Sequence, residues 1–141
     1  MNLIQFEDLH DVILIGHSYG GMVVTGVADS LPGRIRKLIY PDAMVPENGE
    51  SVLGIQCARG ERLKNMNVNG FAIPPWVASD KLPPKDLPHS FKTFTDTIVL
   101  KNGLREKIST NYILTVAKGT DAKVDDFALH AEREKMKGCL F

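Results

Sequence analysis

A chain of 141 residues fits one compact domain. Its hydrophobic fraction of 43% and charged fraction of 24% are ordinary for a globular protein, and 17 basic residues offset 17 acidic ones. No global field therefore favours nucleic acid or an anionic membrane surface, and no apolar run approaches the length that spans a bilayer.

Residues 2–9 place Leu3, Ile4, Phe6 and Leu9 at roughly helical spacing. Residues 12–15 read Val-Ile-Leu-Ile, a continuous apolar run expected of a parallel strand covered on both faces. Residues 16–21 form a glycine-rich tight turn. The small apolar residues 22–31 predict a helix ended by Pro32-Gly33. A second buried strand is expected over 35–40, stopped at Pro41. The next segment, 45–110, is irregular. A helix is expected within 51–66, and a short strand over 97–100 before the turn Asn102-Gly103. Six prolines, at 46, 74, 75, 83, 84 and 88, are interleaved with Phe71, Trp76, Phe91 and Phe94. That length exceeds a simple connection, so 45–110 reads as an inserted cap. A third buried strand is expected over 111–117. A final amphipathic helix over 124–137 gathers Val124, Phe127, Ala128, Ala131 and Met136 near one face.

The pattern predicts an α/β fold: a partial sheet of about three parallel strands with flanking helices and a cap insertion. The expected divisions are 1–44, 45–110 and 111–141. The two cysteines, Cys57 and Cys139, form no CxxC pair and no metal-ligand spacing with histidine. They read as free thiols in a reducing compartment, and residues 1–10 lack the basic start of an export signal. A cytoplasmic location is expected.

Gly16-His17-Ser18-Tyr19-Gly20 matches G-x-S-x-G. The requirement behind this motif is steric. The serine sits on a sharp strand-to-helix turn in a strained conformation, and flanking glycines make room for neighbouring backbone. Ser18 is then the candidate nucleophile. The Tyr19 N–H is placed to meet a developing oxyanion, aided by the helix N-terminus. The bare pattern is weak, but an apolar strand runs into Gly16 and a small-residue helix runs out of Gly21. A phosphate-binding loop would need a lysine that is absent here.

The stretches GHSYGGMVVTGVAD, RIRKLIYPDA and MVPENGES resemble the bacterial esterase-like branch of the α/β-hydrolase superfamily, which is similar to plant hydroxynitrile lyases and methyl esterases. FKTFTDTIVLKNG and NYILTVAKGTD extend the likeness towards the last helix. The resemblance implies a serine nucleophile, a carboxylate, a histidine base, a cap over an apolar acyl pocket, and no cofactor or metal. It matches Ser18 to the nucleophile and Tyr19 to the oxyanion donor. The acid is either Asp121, after the third strand, or Asp42, after the second. His17 is read as pocket lining or packing, and Trp76, Phe71 and Phe91 are the candidate lining of the cap. The family's histidine lies beyond the final helix and its early strands precede the elbow, so the chain reads as truncated at both ends. His130 falls inside the final helix and reads as satisfied or solvated.

The function expected is acyl-enzyme hydrolysis of a small ester, with no nucleic-acid or membrane partner, and self-association through an exposed sheet edge. The alternatives are a non-catalytic remnant, a ligand-binding pseudo-enzyme, and hydroxynitrile-lyase-type chemistry. No residue in the sequence decides between ester hydrolysis and lyase chemistry.

Overall fold

The computed structural model describes residues 1–55, 60–75, 80–83 and 85–138. The chain divides into two compact units, Met1–Gly49 with Ile98–Phe141, and Glu50–Thr97. The first unit holds α1 (Asn2–Phe6), β1 (Val12–Ile15), α2 (Gly20–Ser30), β2 (Ile35–Pro41), β6 (Ser109–Ile113) and α6 (Ala128–Met136). Its strands pair in parallel in the order β1-β2-β6. No described helix is long and apolar enough to cross a membrane.

Strand β1 occupies the predicted residues but lies at an edge. Val12 and Leu14 pack against the core, whereas Ile13 is 43% and Ile15 64% exposed. The expected cover on both faces is therefore absent from β1. An unbroken apolar run leaves its second face unspecified, because side chains alternate with period two whatever packs above them. The covered face carries Leu38 and Tyr40 of β2 and Tyr112 of β6, each at most 2% exposed, packed with Ala28 of α2 and Ala131 of α6. Helix α2 starts at Gly20, two residues before its predicted start. Within it, Thr25 Oγ1 donates to Gly21 O at 2.7 Å and lies 2.8 Å from Tyr40 Oη, so both buried hydroxyls are satisfied. Pro32 then opens a 3₁₀ turn, Pro32–Arg34, that leads into β2.

Three further predicted elements differ in the structure, two because of partners remote in the chain and one because of local bonds. The expected strand at 97–100 is irregular. Its backbone is held by side chains: Leu100 N–H donates to Asn48 Oδ1 at 2.9 Å, and Lys101 and Asn102 N–H donate to the buried Asp29 carboxylate at 3.0 and 2.9 Å. Strand β6 covers Ser109–Ile113 rather than 111–117, because its partner β2 ends at Pro41, opposite Ile113. The last helix covers Ala128–Met136 rather than 124–137. Asp121 accepts from Lys123 N–H at 3.0 Å and Asp125 from Phe127 N–H at 2.9 Å. These local bonds compete with the helical ladder and leave a 3₁₀ turn, Ala122–Val124, ahead of α6.

The second unit holds α3 (Val52–Ile55), α4 (Gly60–Lys64), α5 (Lys92–Thr95) and a small antiparallel sheet of β3 (Asn67–Val68), β4 (Phe71–Ala72) and β5 (His89–Ser90). The helix expected over 51–66 is resolved as α3 and α4. Asn69 at φ +51° and Gly70 at φ +83° make the β3–β4 turn, which needs two residues tolerant of left-handed backbone. Phe91 is buried and meets Phe94 edge to face, with centroids 5.7 Å apart. This unit is narrower at both ends than the 45–110 insertion expected from sequence, since 45–49 and 98–110 belong to the first unit.

Candidate active site

Ser18 lies between the end of β1 and the start of α2, at φ +53°. An L residue with a side chain rarely adopts that conformation, and here the surrounding backbone imposes it. Ser18 N–H donates to Asp42 O at 2.9 Å, and Ser18 O accepts from Met44 N–H at 3.0 Å and Gly21 N–H at 3.1 Å. Ser18 and Ala43 thus form a parallel bridge that extends the β1–β2 pairing past the strand ends. A Cβ on Gly16 would lie 2.6 Å from both Gly20 O and Val24 Cγ2, and one on Gly21 would lie 2.3 Å from Met44 O. Gly16 of the motif and Gly21 just after it are therefore required for close approach. Tyr19 has helical φ and ψ and begins α2, where first-turn N–H groups have no acceptor within the helix.

Residues 42–45 form a strap beside the turn, and three distant side chains hold it. Asp42, at φ +38°, accepts from Thr115 N–H at 2.7 Å through Oδ1 and from the Thr115 hydroxyl through Oδ2. Tyr112 Oη accepts from Ala43 N–H at 3.1 Å and donates to Ala43 O at 2.9 Å. His130 Nδ1 accepts from Val45 N–H at 3.1 Å. Burial pushes the Tyr112 phenol well above its ordinary range, with the Asp42 charge adding to the shift and its Ala43 bond opposing it. The hydroxyl therefore stays protonated and keeps its donor. Tyr112→Phe strands both Ala43 groups, which are buried. It is expected to cost about 1–3 kcal/mol, read as a lower urea midpoint at unchanged m-value.

The structure places the remaining sequence candidates as follows. Asp121 is exposed and serves as the cap of a 3₁₀ turn. His17 is exposed. Phe71 is 53% exposed and Phe91 is buried against Phe94, both in the second unit, while Trp76, Cys57 and Cys139 lie outside the described residues. His130 is 1% exposed, so it is satisfied in the interior rather than solvated. Of the other histidines, His10 Nε2 lies 2.7 Å from Arg34 and 3.4 Å from Asp8, and the His89 ring packs on Phe94 at 5.2 Å. Among the described residues no hydrogen bond reaches Ser18 Oγ, and no group of three or more metal-ligating side chains occurs. Sequence reasoning missed Thr115, Tyr112 and Asp29. They carry no local signal, because each bonds to a residue remote in the chain.

No protein-family model matches the chain. The chain is 56% identical over 55 residues to the carbendazim hydrolyzing esterase of Nocardioides sp. strain SG-4G, a match covering 39% of this chain and 23% of that protein. Among solved structures, it is similar to an extracellular α/β-hydrolase from a Paenibacillus species, described as sharing structural and functional homology with tobacco salicylic acid binding protein 2. That likeness has a TM-score of 0.68 and 22% identity, and covers 99% of this chain and 64% of that one. Polyneuridine aldehyde esterase is similar at a TM-score of 0.53 and 16% identity, over 91% of this chain and 58% of that one. The chain thus spans less than two thirds of the length of these proteins. Its three parallel strands, its helices and the strained turn after β1 make up part of an α/β-hydrolase fold.

Proposed function

We propose that the chain carries the nucleophile side of a serine esterase, with Ser18 forming an acyl-enzyme on a small ester. The observation that supports this reading most is the left-handed Ser18 at a tight strand-to-helix turn. In the reaction, Ser18 Oγ attacks the ester carbonyl and loses its proton to a base. The carbonyl oxygen becomes an oxyanion facing the Tyr19 N–H, and the alcohol then leaves. Water releases the acid in a second round. Ester chemistry is the reading that the names of the esterase relatives favour. Asp42 is the better placed of the two acid candidates, because its backbone carbonyl accepts from Ser18 N–H. Asp121 is engaged as a cap.

The test is covalent trapping. After long incubation with p-nitrophenyl acetate, peptide mapping is expected to find the acetyl group on Ser18 and to lose it in Ser18→Ala. Acetylation elsewhere, unchanged by that substitution, would falsify the assignment. The second reading, a ligand-binding protein without turnover, is favoured by the absence of any histidine hydrogen-bonded to Ser18 Oγ. It predicts binding of small esters with no adduct at all.

We also propose that the chain associates with itself through the open edge of β1, the outermost strand, beside which Ile13 and Ile15 leave one face uncovered. Light scattering is expected to give a mass at or above twice the chain's 15.6 kDa, and Ile15→Lys to lower it. A monodisperse wild-type monomer would remove this proposal.

A further inference from the structure

His130 is a buried ionisable side chain that the proposed chemistry leaves unused, at 1% exposure in the first turn of α6. Its Nδ1 accepts the Val45 N–H at 3.1 Å. The same nitrogen lies 3.3 Å from Val45 O, so the ring meets both backbone groups of Val45 through Nδ1. Val45 is the residue after Met44, and Met44 N–H donates to Ser18 O. The chain of contacts runs from α6 through the N–H groups of two successive residues, Val45 and Met44, to the strained turn.

We propose that His130 is a positioning residue for Ser18: its Nδ1 fixes the strap 42–45 so that Met44 holds the Ser18 backbone in the left-handed conformation. The inference rests on Ser18 as nucleophile for its functional meaning, but its geometry is testable without any chemistry. The acceptor is a single atom two bonds from Cβ. Asparagine offers an amide oxygen at that place, and glutamine offers one a bond further out. Glutamine favours helix more than asparagine does. Any advantage of asparagine therefore cannot come from a better α6.

The experiment compares His130→Asn with His130→Gln in the full chain, by amide hydrogen exchange at Met44 and Ser18. The Leu38 amide in β2 serves as the reference for overall opening. His130→Asn is expected to keep Met44 and Ser18 exchange near the wild-type rate. His130→Gln is expected to raise it roughly tenfold relative to Leu38, the consequence of one lost hydrogen bond. Equal exchange in the two variants, fast or slow, would overturn the proposal and leave His130 as core filler. The rate of Ser18 acetylation is read in parallel. If the exchange pattern holds while wild-type Ser18 never acetylates, the positioning of the turn stands and the esterase reading fails.

Discussion

By itself the 141-residue chain is expected to turn over short-chain esters roughly 10⁴- to 10⁶-fold more slowly than a serine hydrolase with a complete triad. A serine hydroxyl is a weak nucleophile until a positioned base takes its proton. Each of the four histidines has a place in the structure, and none is hydrogen-bonded to Ser18 Oγ. His10 is drawn to Arg34 and Asp8, His89 to the Phe94 ring and His130 to Val45, and the exposed His17 belongs to the turn itself. Residues that act as a unit are strongly non-additive, so Ser18→Ala should change the residual rate little. Steady-state kinetics with p-nitrophenyl butyrate check both statements. Fast turnover that vanishes in Ser18→Ala would mean that one of these histidines leaves its present contacts and serves as the base.

Gly21→Ala is expected to destabilise the protein by about 3 kcal/mol, at the upper end of overpacking costs. The new Cβ would lie 2.3 Å from Met44 O and 3.0 Å from both Met44 C and Ala43 Cβ. These are mostly backbone atoms, so no flexible side chain can swing aside. The strap cannot retreat either, because Tyr112 Oη and His130 Nδ1 hold it from the other side. Gly20→Ala is the internal control. Its Cβ would meet nothing within 4 Å, and its effect should be within about 0.5 kcal/mol of neutral. Paired urea titrations settle the comparison. Similar midpoints for the two variants would contradict the close approach of α2 to the strap.

The sequence announced those parts of the fold whose causes are local. The apolar run 12–15, the glycines at 16, 20 and 21 and the small residues after them are contiguous, so β1, the turn and α2 were legible almost to the residue. So was Ser18 as a candidate, and Asp42 as one of two. What was not legible depends on partners far away in the chain. Whether β1 has one covered face or two is decided by what packs there. The end of β6 is set by the end of β2. The 97–100 segment is irregular because Asp29 and Asn48 satisfy the backbone around it, and the early cap at Asp125 shortens α6. The strap escaped notice for the same reason. A tyrosine in a strand and a histidine in a helix look like core residues until their polar atoms are seen to reach backbone.

The bonds that hold the strap come from Tyr112, Thr115 and His130 and join residues 69, 73 and 85 positions apart. That separation gives the protein an order of assembly. The unit β1-α2-β2 can form from neighbours, whereas closing β6 onto β2 must first overcome the entropy of a long loop. On a ribosome adding about 5–20 residues per second, Tyr112, Thr115 and His130 emerge on the order of ten seconds after the strap itself. During that interval Ser18 has no reason to hold its left-handed conformation. A nascent chain stalled once 42–45 have emerged but before β6 has is therefore expected to be cut readily there by added protease, and the released chain to resist. The turn that bears the motif is written early in the sequence and completed last in time.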